Sequence, residues 1–171
     1  MKKVIIFCFI IFTKLSFSQH TESYMAIANN FKIVDSSKVE LKWKNGKLKE
    51  RKKTIKLIHN NTEYKLLTGV HEQFNRKGIK RTESLFDKYG NYLSYKFFDL
   101  DGNIITEIVT LKIDYTDNQL LEITKEYTDY MEYKGEIYRY KTGKKCNNKK
   151  IGKWFTYDSC GNIIKEKNYS K

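Results

Sequence analysis

Proline is absent from this chain of 171 residues, and cysteine and histidine occur three times each. The histidines, His20, His59 and His71, are scattered, and neither Cys-x-x-Cys nor His-x-x-x-His spacing occurs to hold a zinc ion. There is no Gly-x-Ser-x-Gly elbow, no phosphate-cradling glycine loop and no paired histidine. The sequence therefore predicts no enzyme: no catalytic residue, no metal and no cofactor. Long apolar runs are missing too, since Val4–Phe12 is far shorter than the ~20 residues a membrane-spanning helix needs.

What is present begins with that run. Met1-Lys2-Lys3 leads into it, and the small-residue site Ser16-Phe17-Ser18 follows. Basic, then apolar, then small is the order of a secretory signal peptide, so residues 1–18 are expected to be removed on export to the periplasm or medium, leaving Gln19 first. Cys8 lies inside the apolar run behind Phe7, away from the cleavage site, so it reads as discarded with the signal and not as a lipid attachment point. Residues 19–171 then form one domain, with 19–37 a helical or loop lead-in and 38–171 a run of hairpins.

Subtracting the three lysines of the signal from the formal +13 leaves +10. Such a balance favours acidic partners: an acidic protein, an anionic envelope polymer or lipid head groups. Nucleic acid is the least expected of them for an exported chain. The compositional alternative is a general bias, because Lys, Asn and Ile are all plentiful and Lys outnumbers Arg. Cys146 and Cys160 remain after export, where disulfides persist. A bridge between them would close a loop of about 15 residues, worth roughly 3 kcal/mol in the chain-entropy account; two unbridged thiols are the other reading.

Helical periodicity occurs once, in Tyr24, Ile27, Ala28 and Phe31, with Thr21 and Ser23 as caps. From Lys38 onward, β-branched and aromatic runs alternate with Gly, Asn and Asp, which reads as strands. The punctuation repeats. Phe74–Glu83, Phe86–Tyr95, Phe98–Glu107 and Tyr157–Glu166 align without gaps, and Gly78, Gly90 and Gly102 are spaced by twelve. Tyr115–Glu126 and Tyr133–Tyr140 read as degenerate copies, with Asn118 in the glycine position. A fixed short period points to one supersecondary unit used repeatedly. Its chemistry is that of a turn: Asp at the first position accepts local backbone N–H bonds, and Gly supplies the left-handed residue of the bulge that follows. Asp99-Leu100-Asp101-Gly102 is not a calcium loop, because Gly stands fourth where the EF-hand needs it sixth, and Thr110 falls where the bidentate Glu should be. The expected fold is all-β: an antiparallel meander of repeated hairpins in an elongated or curled sheet, with a short N-terminal helix.

At the C-terminus the unit is more particular. Tyr140, Gly143, Gly152-Lys153-Trp154, Tyr157, Gly161, Glu166 and Tyr169 form a pattern that resembles the MORN-like repeat family, in the bacterial variant often labelled antitoxin or immunity protein. The resemblance is clear over Tyr140–Tyr169. It implies a ladder of hairpins used for binding, without catalytic residues. Trp154, Tyr157 and Tyr169 read first as packing aromatics, since aromatics on strands stabilise cross-strand pairs. A candidate anion surface lies in Val39–Lys53, where Asn45-Gly46 predicts a two-residue turn. That register pairs Lys44 with Lys47 and Lys42 with Lys49, setting four lysines on one face and Leu41, Trp43 and Leu48 on the other. An edge hairpin whose lysines discourage aggregation is the plain alternative. Two functions remain open: a protein-binding module, in its specific form an immunity protein, and a basic module adhering to an anionic envelope surface.

Overall fold

The computed structural model describes residues 19–170 apart from 117 and 119; the signal segment expected at 1–18 lies outside the described residues. Ten antiparallel strands follow each other in chain order across one open sheet. They are β1 (Lys32–Lys42), β2 (Leu48–His59), β3 (Thr62–Phe74), β4 (Lys80–Phe86), β5 (Tyr92–Phe98), β6 (Ile104–Tyr115), β7 (Leu121–Tyr133), β8 (Glu136–Cys146), β9 (Lys149–Tyr157) and β10 (Ile163–Tyr169). Among the described residues one helix, α1 (Glu22–Ala28), precedes them, capped by the Thr21 hydroxyl, which accepts from the Tyr24 N–H. The all-β meander with a short N-terminal helix is thus the observed fold. The lead-in is shorter than 19–37: β1 begins at Lys32, pairing with the far end of the long β2, and its polar Asp35-Ser36-Ser37 stretch masks the strand in the sequence.

The repeated unit is a hairpin with a fixed backbone design. In the turns that begin at Asn75, Asp87, Asp99 and Asp158, the first residue's N–H donates to the carbonyl four residues on. Its side-chain Oδ1 accepts two further backbone N–H bonds, as when Asp99 takes those of Asp101 and Asn103, each at 2.9 Å. The glycine that follows has positive φ, and the register slips three residues after it in each strand pair, leaving Arg81, Leu93, Ile105 and Ile164 as bulges. Thr116 is a weaker copy, its hydroxyl accepting the Leu120 N–H. Tyr133–Tyr140 is not a copy: Lys134 and Gly135, both at positive φ, make a two-residue turn, as do Asn60-Asn61 and Asn147-Asn148.

Among the described residues, two layers exist only where α1 lies on the sheet. Because β5 is short, β6 runs past it, and the β6 edge beyond Val109 is filled by the N-terminal segment. Thr21 N–H donates to the Ile113 carbonyl at 3.0 Å, Ile113 N–H to the Gln19 carbonyl at 2.6 Å, and the Gln19 amide to the Thr110 carbonyl at 2.7 Å. Tyr24, Ala28, Tyr89 and Ile113 form the buried cluster beneath, with Phe31, Leu93, Tyr115 and Ile123 against it. His20 and Asp87 lock the contact, Nε2 to Oδ2 at 2.7 Å, and the Asn91 amide bonds both Asp87 and the Tyr24 hydroxyl. Burial pushes the Tyr24 hydroxyl up to about 12, so it stays a neutral donor and acceptor in this network.

Candidate binding face

Alternation along β7 to β10 puts one set of side chains on the face that carries α1. The register aligns Tyr127 with Gly143, Lys125 with Lys145, Lys145 with Lys150, and Trp154 with Lys167. Period-two alternation then brings Lys141, Lys145, Lys150, Lys167, Tyr127, Trp154 and Tyr169 to the same side. The contacts agree. Lys145 Nζ stands 4.2 Å from the Tyr127 ring centre, Lys150 4.6 Å from Trp154 and 5.3 Å from Tyr169, Lys167 5.0 Å from Tyr169, and Lys141 5.8 Å from Trp154. All lie within the ~6 Å over which a ring face attracts a cation.

Gly143 makes this arrangement possible. A Cβ there would meet the Trp154 ring at 2.1 Å, so the indole lies directly on the β8 backbone and its Nε1 donates to the Lys144 carbonyl at 3.1 Å. Trp154 is only 5% exposed, so it forms the packed platform of the cluster. Tyr169 is the outer ring. Burial works to raise its pKa, but Lys150 and Lys167 outweigh that and hold it below the ordinary tyrosine value. Tyr157 lies further along β9, its hydroxyl 3.2 Å from that of Thr142. Among the described residues none of these four lysines forms an ion pair, whereas Lys153, on the opposite face, bonds Glu166 at 2.8 Å. Asp129 stands opposite Lys141 in the register and takes a hydrogen bond from Thr106 at 3.1 Å.

The predicted lysine hairpin is built differently from the expectation. Gly46 N–H donates to the Trp43 carbonyl and Trp43 N–H to the Lys47 carbonyl, at 2.9 and 2.8 Å. Asn45-Gly46 is therefore not a two-residue turn: Trp43 occupies the place that Asp holds in the other units, and Lys49 is the bulge residue. Lys42 pairs with Leu48 and Leu41 with Glu50, so Lys42, Lys44, Lys47 and Lys49 do not share the face foreseen. The reason is the neighbouring turn. The Trp43 indole donates to the Phe74 carbonyl at 3.1 Å, the Asn45 amide to the Arg76 carbonyl at 2.9 Å, and Lys47 Nζ to the Lys77 carbonyl at 2.7 Å. Lys49 and Arg76 stand 4.9 and 5.5 Å from the Trp43 ring centre. The result is a cationic corner of two stacked turns.

The cysteine pairing is also corrected. Cys146 ends β8 beside Lys149 at the start of β9, and Cys160 sits in the turn after Tyr157, so the length of β9 separates them. Nine residues at ~3.3 Å each put the two far beyond disulfide reach, and no bridge joins them. Among the described residues no group of three or more His, Cys, Asp or Glu side chains is placed to hold a metal. The sequence reading missed Lys141, Lys145, Lys150 and Lys167 as a set, because they come from three strands and only the register assembles them. Comparison of the chain with protein-family models, with curated proteins and with solved structures finds no match.

Proposed function

We propose that this chain is an exported, non-catalytic repeat module of MORN-like type that holds an acidic protein partner on the lysine–aromatic face of β7–β10, an immunity-type role in the envelope being its most specific form. The observation that carries the reading is the set of four lysines, each over an aromatic ring on one face and none in an ion pair among the described residues. Charges laid out in this way speed and select the encounter with an acidic surface, while the rings supply area to bury. Among the described residues no second layer lies over β8–β10, which leaves that part of the face open to a partner.

Adhesion to an anionic polymer or lipid head groups is the second reading, favoured by the corner at Trp43, where Lys49, Arg76, Lys44 and Lys47 gather at the opposite side of the sheet. One pair of variants decides between them. Reversing Lys141, Lys145, Lys150 and Lys167 to Glu should abolish capture of a defined protein from envelope extract, read by mass spectrometry. Reversing Lys42, Lys44, Lys47 and Lys49 changes the net charge equally and should leave that capture intact. Equal losses in both variants would reduce the affinity to total charge. Retention on a polyanion that vanishes between 0.05 and 0.5 M salt, roughly the range over which screening shortens from beyond 10 Å to a few Å, would favour the second reading.

A further inference from the structure

Lys125 lies on the same face as Tyr127, one step nearer α1, and caps a ring of β5 and not one of β7–β10. It borders a pocket of about 160 Å³ whose other walls are Tyr92, Ser94, Tyr95, Ile108 and Thr110. The pocket follows from the register. Thr110 pairs with Lys125 and Ile108 with Tyr95, while the bulge at Leu93 turns that side chain to the α1 cluster and leaves Tyr92 at the rim. The Thr110 hydroxyl is committed to the Tyr92 carbonyl at 2.6 Å, so the floor offers little to a polar ligand. Lys125 Nζ stands 5.4 Å from the Tyr92 ring centre. Its surroundings depress its pKa through burial alone, with no carboxylate among the described residues to offset it.

An ammonium group drawn out of water without a counter-ion costs free energy that an anion would recover. One ammonium carries a single positive charge, which matches a monoanionic carboxylate and leaves part of a phosphate's charge, about −1.5 to −2 near neutrality, unmatched. Size narrows the class further, since an apolar cavity of about 150 Å³ accepts one benzene ring. We propose that this pocket binds a carboxylate carried on a single ring, the ring lying against Tyr92, Tyr95 and Ile108 and the carboxylate on Lys125 Nζ. The site adjoins the macromolecular face, since Lys125 and Tyr127 lie on one side of β7, but its ligand does not depend on the identity of a protein partner. Two sources share this chemistry: a free monocyclic acid, and the C-terminus of a peptide ending in an aromatic residue.

The test is an amide NMR titration of the purified protein with benzoate, with its neutral isostere benzamide, and with the tripeptide Gly-Gly-Phe as free acid and as amide. Benzoate should shift the amides of Ser94, Thr110 and Lys125 saturably, and benzamide should bind at least tenfold more weakly. Lys125→Met should lose benzoate at least tenfold while melting no lower than the unaltered protein. Shifts by the tripeptide acid and not its amide would assign the chain terminus as a source; silence from both, with benzoate bound, would assign the free acid. Equal binding of benzoate and benzamide overturns the proposal on the unaltered protein alone, and so does benzoate binding unchanged by Lys125→Met.

Discussion

Glu72 is 7% exposed and meets two cations, Arg51 Nη2 and Lys80 Nζ, each at 2.5 Å. Burial works to raise its pKa, but the hydrogen bonds from Lys80 and Arg51 outweigh that and hold the carboxyl below its ordinary 4.5. Glu50 is lowered in the same way: burial opposes, while Lys52 and His71 prevail. A carboxyl whose folded pKa is depressed stabilises the fold fully above its unfolded value and loses that contribution as pH falls through the folded value. Stability should therefore decline below about pH 4.5, and Glu72→Gln should flatten the decline while costing about 2 kcal/mol at pH 7. Urea unfolding at pH 7 and at pH 3.5 measures both; an equal loss at the two pH values would remove the charge from the explanation. Nothing in the sequence singles out Glu72 from other strand glutamates. Its role depends on Arg51 of β2 and Lys80 of β4 lying on either side of β3, a placement only the strand order supplies.

The same turn unit does different work at different points of the sheet. Asp99 stands in an exposed turn and bonds within that turn, to Asp101 and Asn103. Asp87 holds the equivalent turn with Tyr89 and Asn91 and, in addition, takes His20 from the N-terminal segment. It is 8% exposed, and Gly90 beside it is closed in by Leu66, whose Cβ would lie 2.8 Å from an added Cβ. Asp87→Ala should therefore cost about 3 kcal/mol, because several buried donors lose their acceptor at once. Asp99→Ala should lower the melting temperature less, and a smaller effect at Asp87 would remove it from the anchoring of α1. The turns themselves were legible, because Asp and Gly at fixed spacing carry a local mechanism. The type of the Asn45-Gly46 turn was not. Asn-Gly serves a two-residue turn and a bulged one alike, and the choice was made by Trp43 reaching the backbone of the next hairpin. The α1 periodicity was legible, but its docking was not, since it rests on the β6 edge that the short β5 leaves open.

Across the whole molecule, stability is concentrated where there are two layers. In an open meander each strand contacts only its neighbours, so the free energy approximates a sum of local units and nearest-neighbour terms. Near β6 those terms include α1, the N-terminal segment and the Ile113 cluster. Towards β10 they reduce to one strand pair and the Trp154 platform, and β10 is exposed along nearly all of its length. Amide exchange should reflect this, since local openings range from near zero to the global value according to the contacts that must be broken. The amides of β6 and β7 around Ile113 should exchange slowest and those of β10 fastest among strand residues. Trp154→Ala should accelerate exchange in β8–β10 and leave the Ile113 amide unchanged. Ile113→Ala, which removes a fully buried side chain at a cost of about 2–5 kcal/mol, should accelerate exchange on both sides of the sheet. If Trp154→Ala instead speeds every strand equally, the sheet opens as one cooperative unit. The face of β7–β10 proposed for binding would then be as rigid as the core, and a partner would bear no ordering cost on it.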